Sequence, residues 1–137
     1  MNETERLVTA FLELTLPRTE WTHHAHLRVG LWHLLHHTEA EALDLLRARI
    51  RRYNEAIGGQ NTDTSGYHET ITRFYVCLIA AFVARVDGSR PLDELAEELS
   101  AEYGDKELPL RWYTKERLFS VAARVGWVEP DLAALPA

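Results

Sequence analysis

Between Trp21 and Thr38 the chain runs Trp-Thr-His-His-Ala-His-Leu-Arg-Val-Gly-Leu-Trp-His-Leu-Leu-His-His-Thr, and this stretch holds six of its seven histidines. Thr22 can cap a helix that nothing breaks before Thr38. At about 100° per residue, His26, Gly30, His33 and His37 share one stripe with His23 beside it, while His24 and His36 fall off it. Leu27, Leu31, Leu34 and Leu35 make a second face, and Ala25, Val29 and Trp32 a third. A helix that is apolar on so many sides must be covered by protein. Histidines that go inside with it need a carboxylate, a backbone carbonyl or a metal as partner.

The rest of the chain supplies the cover. Leu7, Val8, Phe11, Leu12 and Leu14 recur at helical spacing and predict a first helix from Asn2 or Thr4 to about Leu16, stopped by Pro17. Thr38-Glu-Ala-Glu41 reads as a capping box opening a third helix, whose stripe is Ala42 or Leu43, Leu46, Ile50, Tyr53 and Ile57 and whose end is Gly58-Gly59. A polar link from Gln60 to Gly66 follows. It leads to a fourth helix from Tyr67 to about Val86 that is apolar nearly all round and should be central. Beyond Asp87-Gly88, Pro91 opens a shorter helix closed by Gly104. Thr114 and Ser120 can cap short helices ending near Gly126, and Pro130 and Pro136 keep the tail irregular. No alternating run demands a sheet. The expected fold is all-α, a single helical domain over residues 1–137: a compact bundle of four main helices with shorter C-terminal ones.

Composition narrows the function. With 21 acidic against 15 basic residues and no basic tract, the chain does not look like a nucleic-acid binder. Arg47, Arg49, Arg51 and Arg52 cluster, but acidic neighbours on the same helix make them read as a solvated face. No apolar run reaches the roughly 18 residues that span a bilayer, so we expect no membrane partner and a cytoplasmic protein. Self-association into a homo-oligomer is left open. The single cysteine, Cys77, lies in an apolar run and reads as a small core residue.

If helices two and four run parallel, their starts share one end of the bundle. His23 and His26 would then lie near His68 and Glu69, with the Asn61 to Ser65 link above them. His-x-x-His with His68 gives three nitrogens suited to a divalent transition metal such as Zn, Fe or Cu, and Glu69 would be a fourth ligand or the catalytic base. Asn61, Asp63, Thr64, Tyr67 and Lys115 are the expected substrate-binding residues, with the first N–H groups of helix four favouring an anion. A pocket should open beneath the link, lined by aromatic residues such as Trp21, Tyr67 and Tyr75. His33, His36 and His37 fall at the far end of their helix and read as structural or exposed. Gly30 fits close packing against Ala80 or Ala81, or room for a ligand.

The segments Trp-Thr-His-His-Ala-His-Leu and Tyr-His-Glu-Thr together resemble a family of small bacterial helical proteins with aromatic-x-His-x-x-His-Leu and Tyr-His-Glu-Thr elements. That resemblance implies that His23, His26, His68 and Glu69 matter, and it carries no activity. The sequence thus points to a small metal-dependent enzyme acting on a small polar or anionic molecule, by hydrolysis or lyase chemistry at zinc or oxidation at iron or copper. The alternatives are a metal-free helical binding or assembly module with structural histidines, and metal-free acid–base catalysis by His68 and Glu69.

Overall fold

A computed structural model describes residues 1–135, and every regular element among them is helical. Helix α1 spans Glu3–Leu12, capped by the Asn2 side chain, which accepts the Glu5 N–H. It stops well before Pro17. Leu14 takes the left-handed conformation at φ 64°, and the Thr15 N–H turns back to the Ala10 carbonyl, which closes the helix end. The periodic leucines beyond Leu12 had suggested a longer helix, but Leu16 is buried from the following turn instead.

Helix α2 is His23–His36, capped by Thr22, and α3 is Glu39–Ala56, opened by a complete Thr38/Glu41 capping box. Helix α4 runs from Glu69 to Arg85 and α5 from Leu92 to Tyr103. Length does not separate four main helices from the rest, because α5 at 12 residues exceeds α1 at 10. Three single turns follow, a 3-10 turn at Leu108–Arg111, then α6 at Lys115–Leu118 and α7 at Val121–Val125, the last two capped by Thr114 and Ser120. Pro136, expected to keep the tail irregular, lies outside the described residues.

Helix α4 is apolar all round because it separates two cores. On one side Val76, Ile79 and Phe82 join Phe11, Leu27, Leu31, Leu46 and Leu99 from the other long helices. On the other, Phe74 and Leu78 meet Leu108, Tyr113 and Leu118 of the C-terminal segment. Each fully buried Leu or Phe contributes about 1.5–3 kcal/mol, so a helix with a face in both cores is the element the others depend on. Gly30 of α2 permits the closest approach to α4. A Cβ there would sit 2.8 Å from Ile79 Cδ1, so the partner is Ile79 rather than Ala80 or Ala81. No described helix is long and apolar enough to cross a membrane.

The arginine cluster of α3 is exposed at Arg51 and Arg52 as expected, but Arg47 and Arg49 are half-buried. Arg47 pairs with Asp44 and Glu69, Arg49 donates to His33, and the Arg51 guanidinium lies over the Tyr67 ring. These side chains tie α3 to α2 and α4. Cys77 is half-buried on α4.

Candidate functional site

A two-lobed cleft opens beside the first turns of α2 and α4. The larger lobe encloses about 600 Å³ between Leu27 and Gly30 of α2, Ile50 of α3, Ile79 of α4 and, from the C-terminal segment, Leu110 and Leu118. The smaller, about 450 Å³, runs beneath the link between α3 and α4, beside Gln60, Gly66, Tyr67 and His68. Trp21, His26, Ile50, Ile71 and Thr72 line both, so the two lobes share a wall. His26 and His68 therefore face one cleft.

His26 is the reactive-looking group in that wall. Its Nδ1–H donates to the Thr22 carbonyl at 2.7 Å, which fixes the tautomer and leaves Nε2 with no hydrogen-bond partner among the described residues. The ring lies on the Trp21 indole at a centroid distance of 3.8 Å, and Trp21 in turn stacks on Phe11. His26 is open to the cleft yet surrounded by protein behind it. That enclosure outweighs the pull of the Thr22 carbonyl and, with His23 nearby, lowers the imidazole pKa to about 4. It is neutral at pH 7.

Tyr75 and His23 also line the larger lobe. The Tyr75 hydroxyl is the one buried side-chain polar atom among the described residues without a hydrogen-bond partner, a state that costs about 1–3 kcal/mol. Burial and Asp105 push this phenol above its ordinary range. His23 meets the Tyr75 ring edge-on at 5.3 Å and donates from Nε2–H to the Tyr103 carbonyl.

His68 and Glu69 do not stand ready for chemistry. His68 is the cap of α4: its Nδ1 accepts the Ile71 N–H, and its Nε2–H donates to the Leu118 carbonyl at 2.7 Å. Both nitrogens are committed, and burial lowers its pKa despite the carbonyl, with Arg124 adding to the effect. Glu69 receives the Arg47 guanidinium on both oxygens and the Tyr67 hydroxyl at 2.8 Å. Burial alone would raise this carboxyl, but the bonds from Arg47 and Tyr67 hold it below the usual carboxylate range. Glu69 also places an anion in the first turn of α4, so the N–H groups expected to attract a substrate anion already have one beside them.

The three-histidine set is thus not assembled, and no group of three or more His, Cys, Asp or Glu among the described residues is placed to hold a metal ion. Several expected substrate-binding residues also have other partners. Asn61 closes the link, accepting from Asn54 and from the Tyr67 N–H and donating to the Arg51 carbonyl. Gly66 is needed for the same closure: its φ is +79°, and a Cβ would lie 2.3 Å from the Gln60 carbonyl oxygen. Thr64 bonds within the link to Thr62, and Asp63 lines a further groove with Arg51, Glu55 and Arg124. Tyr67 borders the smaller lobe with its hydroxyl held by Glu69. Lys115 lines the larger lobe.

The far-end histidines are structural in different ways. His33 is fully buried, donating from Nδ1–H to the Val29 carbonyl and accepting from Arg49 on Nε2. His36 donates to the Trp32 carbonyl and stacks on its indole. Lys106, which lines the larger lobe with Lys115, escaped the sequence reading. Its signal was scarcity, since these are the only two lysines in the chain. Compared with known proteins, the chain matches no family model, no curated protein and no solved structure.

Proposed function

We propose that this chain is a small-molecule-binding helical domain whose two-lobed cleft takes a mostly apolar ligand, read by His26. The supporting observation is the neutral imidazole with a fixed tautomer and an Nε2 without a partner among the described residues, in the shared wall of a mostly apolar cleft of useful size. A ligand N–H or O–H would donate to Nε2 while its apolar body covers Ile71 and Ile79. A fragment screen by protein-observed NMR tests this. Hits should shift the Trp21 indole, the His26 ring and the Ile71 and Ile79 methyls together, and His26→Ala should weaken donor-bearing hits about tenfold. Hits that cluster elsewhere, or a library with none, would sink the reading.

A metal-dependent enzyme is the second reading, and His26 is what favours it. An imidazole with Nδ1–H on a carbonyl and Nε2 unpaired is arranged as metal-bound histidines are, and His23 lines the same lobe. A divalent transition metal there would draw further ligands from its substrate. Thermal-shift titration with Zn, Fe, Cu, Ni and Mn separates the readings. Stabilisation lost in His26→Ala selects the metal, and no stabilisation by any of the five selects the metal-free domain.

A further inference from the structure

The chain carries 21 acidic and 15 basic residues, yet the charged side chains lining the two lobes are Arg18, Lys106, Lys115 and Glu107. Three cations to one carboxylate reverses the balance of the whole molecule. These cations are also unlike most others in the fold. Arg28, Arg47, Arg85, Arg90 and Arg111 are in ion pairs. Arg49, Arg117 and Arg124 donate to His33 or to carbonyls, and Arg51 and Arg73 lie over aromatic rings. Arg18, Lys106 and Lys115 make no ion pair or side-chain hydrogen bond with any described residue. The two lysines come from different parts of the C-terminal segment, Lys106 before the turn at Leu108–Arg111 and Lys115 at the first residue of α6, and both border the larger lobe. Each is a flexible stem with a hydrated ammonium, able to lay methylenes on the apolar wall and reach an anion at the mouth.

We infer that the cleft's ligand is an amphipathic carboxylate, its apolar body in the larger lobe and its anionic end between Lys106 and Lys115. The inference rests on the reading of the cleft as a small-molecule site. Any hydrogen-bond donor on the ligand faces His26, which lines the same lobe.

The test compares two probes with one apolar body, 4-phenylbutyrate and its neutral amide, titrated into the full chain by calorimetry. The carboxylate should bind about five- to tenfold more tightly than the amide, and the gap should narrow as salt rises. Lys106→Gln with Lys115→Gln should bring the carboxylate down to the amide's affinity. Arg6→Gln with Arg52→Gln, the same charge change at exposed positions outside the lining, should leave the gap in place. Equal binding of the two probes by the unaltered chain overturns the inference while keeping the cleft as a binding site. A gap that survives the lysine changes, or that falls equally in the arginine control, overturns it too. Binding of neither probe rejects the cleft reading and the inference with it.

Discussion

His33 is a buried imidazole with both nitrogens engaged, Nδ1–H donating to the Val29 carbonyl and Nε2 accepting from Arg49. Burial is the main cause of its low pKa, about 4, with Arg49 from α3 and His37 and His36 from its own helix opposing a second charge. The folded value lies below that of an unfolded histidine, so the unfolded chain takes up a proton that the folded chain refuses. Stability from this site is therefore complete above about pH 6.5 and lost as pH falls towards 4, on the order of 3 kcal/mol in all. Urea unfolding at pH 7.5 and 4.5 should show that loss on top of those from His26 and His68, whose pKa values burial also lowers, and His33→Gln should be less stable at pH 7.5 but lose about 3 kcal/mol less between the two. An unchanged slope in the variant would assign the effect elsewhere. Glu69 is the second buried group whose role is set by its partners. Glu69→Gln should cost about 2–4 kcal/mol, because it leaves the Arg47 guanidinium facing a neutral amide in a mostly buried place. Asp44→Asn, on the exposed side of the same arginine, should cost under about 0.5 kcal/mol in the same denaturant titration. A result in which both cost the same would remove the buried pair from its structural role. The sequence assigned Glu69 to catalysis because it adjoins His68. Its true partner stands 22 residues earlier on another helix, and only the packing of α3 on α4 brings the two together.

Elements were legible where the signal is local. Thr22, Thr38, Thr114 and Ser120 all cap helices, because a short hydroxyl side chain before a periodic run acts within one turn. Long-range docking left no such mark. The first turn of α4 holds the C-terminal segment through two side chains: His68 reaches the Leu118 carbonyl, while Thr70 Oγ1 donates to the Gly126 carbonyl and accepts the Val128 N–H. From sequence, His68 read as a ligand, and nothing pointed from Thr70 to the C-terminal segment. Thr70→Val keeps the side-chain shape and strips both bonds. Amide exchange near Val128 should accelerate about tenfold or more, with α1 and α3 unaffected. Equal acceleration throughout the chain would mean that Thr70 supports the global fold instead.

At the scale of the whole molecule, the all-α class followed from periodicity, and a cavity beneath the link beside Trp21 and Tyr67 is present where the parallel arrangement of α2 and α4 puts it. The wall chemistry was harder to foresee. Whether an imidazole faces a carbonyl, an arginine or open space depends on side chains brought in from other helices, and seven similar histidines offered no way to rank them. The cleft has a consequence for the chain's persistence. Its lining is drawn from α2, α3, α4 and the C-terminal segment, so it exists only when all four are in place. An occupant binds the assembled state alone and, at a hundred times its dissociation constant, draws the folding equilibrium over by about 2.7 kcal/mol through mass action. On the reading of the cleft as a small-molecule site, the share of chains open to proteases falls as the occupant becomes plentiful, and the molecule's lifetime becomes a gauge of that occupant's supply.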